Sequence, residues 1–222
     1  MTGTVTIHRL SHRVLSIPQL SIGPGRVALI GPNGSGKTTL LRLIAGVVLP
    51  SWGTVSAPAD VGWVGEFPHR NAVFSRVEDE IASPLRFRHH PCPDIRRRVE
   101  AMATDLGIAP LLSRSIRTLS AGERVMVALA TALISRPALL LLDEYDSHLD
   151  PGTAGRVEES IDRLLPPTVV FTTQRMWSAA RADRVIYLEG GEVLVTGTPS
   201  AVFSRLQEIS PEYVPPGWGW TG

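Results

Sequence analysis

The sequence predicts an α/β fold with a helical subdomain inserted near residues 70–120. Three observations predict it. The apolar run 27–30 ends in Gly31 and leads through a glycine-rich turn into the amphipathic stretch 38–45, giving strand, loop and helix in that order. The run 138–142 is wholly apolar and stops at Asp143-Glu144, as in a strand covered on both faces of a parallel sheet. Between these runs, 77–85 and 94–106 show helical spacing with charged faces and no strand-like run.

The other elements follow in order. Residues 61–64 read as a second strand. Residues 121–135 form a helix with Val125, Leu129 and Ala132 or Leu133 on one stripe, and Arg136-Pro137 ends it. Strands at 169–172 and 185–188 alternate with helices at 152–165 and 176–182, and Gly190-Gly191 turns the chain into 193–195. One domain is expected over 1–209. Residues 210–222, rich in Pro, Gly and Trp and without periodicity, are expected to be a tail.

Composition limits the functions that fit. Hydrophobic residues make up 43% of the 222 and charged residues 19%, enough apolar material for a sizeable core and unlike a disordered chain. The formal charge of +1 gives no global field that would draw the chain to nucleic acid or anionic lipid. One cysteine, Cys92, excludes an internal disulfide and suits a reducing compartment. The start, Met1-Thr2-Gly3-Thr4-Val5, lacks the pattern of a secretory signal, and no stretch approaches the ~20 apolar residues that span a bilayer. A cytoplasmic protein is expected, with any membrane role arising through a partner. One imbalance stands out: 21 of the 22 basic residues are Arg, and the single lysine is Lys37.

Lys37 lies in Gly31-Pro32-Asn33-Gly34-Ser35-Gly36-Lys37-Thr38-Thr39, which fits G-x-x-x-x-G-K-[ST]. Glycines let backbone N–H groups wrap phosphates, the lysine sets a compact charge on the β and γ phosphates, and the Thr38 hydroxyl suits Mg²⁺. The helix that follows points its positive end at the same anion. A planar guanidinium is too broad for that role, which explains one lysine in an arginine-rich chain. At the end of the apolar strand, Asp143 suits Mg²⁺ and Glu144 suits the polarisation of an attacking water.

Between these motifs stands Leu119-Ser120-Ala121-Gly122-Glu123, and here the chain resembles the ATP-binding subunits of ABC transporters, whose signature is L-S-G-G-Q. The resemblance covers about residues 10–207. It implies a P-loop NTPase (RecA-like) core with an N-terminal antiparallel β portion, and ATP with Mg²⁺ as ligands. It also implies a second nucleotide-binding subunit, whose γ-phosphate Ser120 and Gly122 contact, and a transmembrane transporter subunit that holds the chain at the inner face of the membrane. A narrower resemblance is to energy-coupling-factor and cobalt-type importer ATPases. It rests on 61–68, on 77–82 and on Gly197-Thr198-Pro199-Ser200-Ala201-Val202-Phe203, and it implies a vitamin or a transition-metal ion as solute. Heme or other small-solute exporters and generic ABC subunits are the alternatives to this subgroup. A DNA-repair or translation-type relative does not fit, because the chain has no long coiled-coil insertion, second cassette or basic patch, so nucleic acid is not an expected partner.

Several positions depart from the family pattern. Glu66 stands where a glutamine normally senses Mg²⁺ and water, and its carboxylate adds negative charge near the γ-phosphate. Gln174 stands where a switch histidine is expected and can donate a hydrogen bond without carrying charge. Tyr145-Asp146 replaces the usual Pro-Thr, while Ser147-His148-Leu149-Asp150 still resembles the D-loop that crosses the dimer interface. Where an aromatic ring normally stacks on adenine there are only His8 and His12. Low turnover, or a heterodimer in which the partner holds the more competent site, is the expectation. The alternative is a nucleotide-binding scaffold that hydrolyses poorly.

Smaller features carry less. His89, His90 and Cys92 lie in a Pro-flanked stretch whose irregular spacing suits a solvated loop better than a metal site. Arg96-Arg97-Arg98 reads as a solvated helix face. Residues 67–84 resemble the family's surface for docking a membrane subunit, and their apolar members Phe67, Val73 and Phe74 suit an ordinary core equally.

Overall fold

A computed structural model of the chain describes residues 3–164 and 166–219, and its contacts divide into two compact units, Met1–Ala59 with Pro167–Gly222, and Asp60–Pro166. In the first unit, β1 (Val5–His12), β2 (Leu15–Ile22) and β4 (Trp52–Ser56) form an antiparallel sheet in the order β2-β1-β4. Alternation drives it: Leu15, Ile17, Leu20 and Ile22 are buried along β2, with Ser16 and Ser21 exposed between them. On β1 the alternation breaks at a bulge, where Arg9 has φ 49° and the register against β4 shifts between His8 and Ser11.

A second set of strands in this unit runs β7-β3-β8-β9, with β3 (Gly25–Ile30) parallel to β7 (Thr168–Thr172) and β8 (Arg184–Glu189), and β9 (Glu192–Gly197) antiparallel to β8. The helices here are α1 (Lys37–Ile44), α6 (Met176–Ala180) and α7 (Pro199–Ile209), and α7 packs on β8 and β9. The residues expected to be a tail are folded as far as they are described. Trp218 meets Phe203 of α7 edge-on at 4.9 Å, Gln207 donates to the Trp218 carbonyl at 3.2 Å, and the Tyr187 hydroxyl bonds Ser210 at 2.9 Å. Periodicity missed this because aromatic contacts, not a repeating apolar face, hold the segment. Trp220, the other tail tryptophan, lies outside the described residues, as do Met1, Thr2 and Leu165, the last residue expected in the helix 152–165.

In the second unit, β5 (Val61–Val64) pairs in parallel with β6 (Leu139–Leu142), all four of whose residues are buried. Helices α2 (Val77–Phe87), α3 (Cys92–Asp105), α4 (Ala121–Leu133) and α5 (Pro151–Leu164) complete it, with α4 against α2, β5 and α5. Helices therefore stand where helical spacing put them, with ends displaced by one to two residues because fraying ends follow caps more than periodicity.

One carboxylate organises the segment before α2. Glu80 is 9% exposed, and its Oε2 accepts from the backbone N–H groups of Val73 and Phe74 at 2.9 and 2.8 Å. Its replacement strands two partly buried donors, so Glu80→Ala is expected to lower stability by about 1–3 kcal/mol in urea titration, with Glu80→Gln between it and the parent.

Candidate nucleotide site

The phosphate loop is built at the end of β3. Gly31, Gly34 and Gly36 have φ of 140°, 81° and 104°, a backbone region that favours glycine, and a Cβ on Gly31 would strike the Leu188 carbonyl oxygen of β8. Inside the loop, Lys37 is 5% exposed and its Nζ donates to the carbonyls of Gly31 at 2.8 Å and Pro32 at 2.9 Å. The ammonium thus closes the loop on itself from within. Gly36 caps α1 without a side-chain hydrogen bond, and the first turn of α1 holds no acidic residue. The Ser35 hydroxyl is buried with no protein partner. An unpartnered buried hydroxyl, an uncapped helix start and a lysine form a donor set that fits an anionic phosphate chain.

Gln174 follows β7 in the same unit, and its Nε2 donates to Asn33 Oδ1 of the loop at 3.1 Å. The structure therefore brings this expected switch residue to the phosphate loop, across 141 positions of sequence. Val14, in the two-residue turn between β1 and β2, is exposed, and with Leu15 it abuts Gly36. His12 is engaged elsewhere, its Nδ1 lying 3.1 Å from Ser51 Oγ, and His8 is exposed.

The other expected site residues belong to the second unit. Asp143 is buried at the end of β6, and its N–H donates to the Val64 carbonyl at 2.8 Å. Glu144 has φ 46°, a strained conformation for a non-glycine residue, and its carbonyl accepts from both the N–H and the hydroxyl of Ser147. Glu66, in the loop after β5, has Oε1 3.5 Å from His148 Nε2, and the His148 ring stacks on Phe67 with centroids 5.0 Å apart. The Glu66 loop and the D-loop residues are thus joined through His148, a role the sequence did not suggest. A pocket of about 210 Å³ lies here, lined by Glu66, Phe67, Arg124, Tyr145 and His148 among others.

The signature residues 119–123 begin α4. Ser120 is its N-cap in a reciprocal capping box: the Ser120 N–H donates to Glu123 Oε2 at 2.7 Å and the Glu123 N–H donates to Ser120 Oγ at 3.3 Å. Arg114 approaches Glu123 Oε1 at 3.1 Å. Glu123 is therefore a working cap, and S-x-x-E is a signal the sequence carries. Gly122 lies against Thr153 of α5, where a Cβ would strike the Thr153 methyl. Asp150 caps the start of α5 by accepting from Thr153 N–H at 3.0 Å, and the Thr153 hydroxyl and amide hold its carboxyl below the usual carboxylate range.

Of His89, His90 and Cys92, expected together in a solvated loop, Cys92 instead begins α3, because Pro91 before it serves as the N-cap, and His90 lies 3.7 Å from Asp94. Asp94 also pairs with Arg97 and Arg98, so two of the three consecutive arginines have a local counterion.

The comparisons with known proteins agree with this geometry. The ABC transporter family model matches residues 15–147. The chain is 34% identical over 199 residues to the energy-coupling factor transporter ATP-binding protein EcfA1 of Halalkalibacterium halodurans, covering 82% of this chain and 72% of that protein. It is 34% identical over 222 residues to the nickel import ATP-binding protein NikO of Rhodobacter capsulatus, with 88% and 87% covered. It is also 33% identical over 202 residues to the lipoprotein-releasing system ATP-binding protein LolD of Pseudomonas fluorescens, with 82% and 88% covered. Among solved structures, cbiO1 of Clostridium perfringens, part of the transporter complex cbiONQ, superposes with a TM-score of 0.83 over 94% of this chain and 93% of that one at 23% identity. The chain belongs to the ABC transporter family, as an ATP-binding subunit with the P-loop NTPase fold. Among the described residues no helix is long and apolar enough to cross a membrane.

The Ser120 N–H bond comes first among the causes that hold the Glu123 carboxyl below its ordinary value of 4.5, with the Ser120 hydroxyl and Arg114 adding to it. A lowered folded-state pKa gives stability that is full above the unfolded value and is lost as pH falls through the folded one. Glu123→Gln keeps a box partner and should remove this acid-side slope from the stability-versus-pH curve, while Glu123→Ala should lower stability at neutral pH by about 0.5–2 kcal/mol.

Proposed function

We propose that this chain binds MgATP at the phosphate loop, hydrolyses it against a second nucleotide-binding subunit, and so energises a transmembrane transporter subunit. The observation that carries this reading is the Lys37 ammonium locked onto the Gly31 and Pro32 carbonyls beside the unpartnered Ser35 hydroxyl. Lys37 and the loop 31–39 hold the β and γ phosphates, and Gln174, already bonded to Asn33, donates to the γ-phosphate. Glu144 takes a proton from the attacking water. Thr38, Asp143 and Glu66 are the residues that would hold Mg²⁺, which would supply positive charge to the transferred phosphoryl group. Ser120 and Gly122 serve the nucleotide of the partner subunit, and 147–150 lie at that interface. The relative named for nickel import supports a transition-metal ion as the solute, and a vitamin is the other solute that the resemblance to energy-coupling-factor ATPases implies.

A second reading, a scaffold with little turnover of its own, is favoured by Glu66 and Gln174. His148, 3.5 Å from Glu66, tempers it, since in its protonated form it offsets the added carboxylate charge. ATPase assays of the purified chain, alone and with the products of its genomic neighbours, separate the two. Slow turnover alone that rises on assembly is expected, and fast cooperative turnover by the isolated chain contradicts it. Gln174→His should raise kcat, by roughly ten-fold if the switch position limits the reaction.

The resemblance puts the base near the N-terminal strands, and there Val14 of the β1–β2 turn, beside Gly36, offers an apolar contact and a side chain with no hydrogen bond to read a base. ATP and GTP are therefore expected to bind within about ten-fold of each other in competition titrations, because discrimination between purines requires paired polar groups.

A further inference from the structure

The C-terminal segment carries a tryptophan that the nucleotide chemistry does not use, and it reaches the helix that follows Gln174. Trp218 stands between two glycines with left-handed backbone, Gly217 at φ 76° and Gly219 at φ 81°, which turn it back onto α7 and α6. Its N–H donates to the Pro215 carbonyl at 3.0 Å and its carbonyl accepts from Gln207 of α7 at 3.2 Å, so its backbone is tied on both sides. The ring then lies against two others. It meets the fully buried Phe203 edge-on with centroids 4.9 Å apart, and Trp177 of α6 at 6.4 Å with the planes tilted by 56°. Both separations fall within the range over which aromatic rings attract.

Helix α6 depends on tertiary support. It has five residues, too few to hold a helix by backbone hydrogen bonds alone, and its N-cap Arg175 makes no side-chain capping bond. Met176, Ser178 and Ala179 are buried, and α6 packs on β3 and α7. Trp177 is 55% exposed, and the Trp218 ring covers part of what remains. Gln174 stands two residues before this helix. The Arg175 N–H donates to Thr173 Oγ1 at 2.9 Å, and the Arg175 carbonyl accepts from the Ser178 and Ala179 amides at 2.9 and 3.2 Å. The backbone on either side of Gln174 is therefore fixed by the first turn of α6, and the side-chain amide that donates to Asn33 Oδ1 follows it.

We propose that Trp218 is a positioning residue for the phosphate site: by packing on Trp177 it fixes α6, and through α6 it holds Gln174 on the phosphate loop. The C-terminal segment thereby acts on the site without touching nucleotide. The effect on turnover rests on the reading of Gln174 as a donor to the γ-phosphate. The effect on α6 and on the Gln174 amide rests on the packing alone.

Hydrogen exchange of the full chain without nucleotide, read by mass spectrometry on the segment 173–180, tests the packing. Trp218→Ala should speed exchange there about three- to ten-fold while β1 and β2 keep the parent rates, and Trp218→Phe should restore most of the protection. Trp177→Ala should match Trp218→Ala, and the double variant should add little to either, because the two rings act through one contact. In nitrogen–proton NMR spectra of the same samples, the Gln174 side-chain amide signal should move towards its free position in Trp218→Ala and return in Trp218→Phe. In ATPase assays, Trp218→Ala should lower kcat about three-fold or more with KM for ATP changed by less than about two-fold. Parent-like exchange at 173–180, equal acceleration along the whole chain, additive single effects or an unmoved Gln174 signal overturns the proposal. So does an unchanged kcat in a chain that hydrolyses ATP. Absence of turnover in the parent would count against the nucleotide reading alone, since the exchange and NMR results are read without nucleotide.

Discussion

The Lys37 ammonium, held between the carbonyls of Gly31 and Pro32, is the interaction on which the site depends. Two charge-assisted bonds, with the Ser35 N–H donated to the Pro32 carbonyl, fix the loop from inside. The strand beneath supplies the rigidity: β3 lies between β7 and β8, and Gly31 passes the Leu188 carbonyl where no side chain fits. Gln174 reaches the same loop from the end of β7, so a residue with no sequence motif of its own is positioned by the parallel pairing of β3 and β7.

The second unit fixes its loops by another means, carboxylates on backbone N–H groups. Glu80 holds Val73 and Phe74, Glu123 holds Ser120, and Asp150 holds Thr153. In each case an anion satisfies donors that a loop or a helix start would otherwise leave open. Both the signature segment and the D-loop residues lead into helices capped in this way, which gives segments proposed to meet a partner subunit a defined shape before any partner arrives.

Much of this was legible because the buried strands are continuous apolar runs and the phosphate loop is a fixed pattern of glycines around a lysine. The fold class and the order of the core elements follow from those signals alone. The bulge at Arg9 hid the register of the three-stranded sheet, since it breaks the alternation from which strands are read. The Gln174–Asn33 and Glu66–His148 contacts join residues distant in the chain, and no local pattern encodes them. Glu123 is a different case, since its spacing from Ser120 spells a capping box that local sequence does encode.

The lone lysine also carries the most direct test. Arginine at position 37 keeps the net charge but offers a planar, broader cation to a space shaped for an ammonium between two carbonyls. Calorimetric titration of MgATP into the parent chain and Lys37→Arg, with unfolding temperatures measured alongside, isolates that difference. Affinity at least about ten-fold weaker in a variant that remains folded is the predicted result. Equal affinity in a folded variant would contradict it, and would mean that the phosphate loop does not depend on its ammonium.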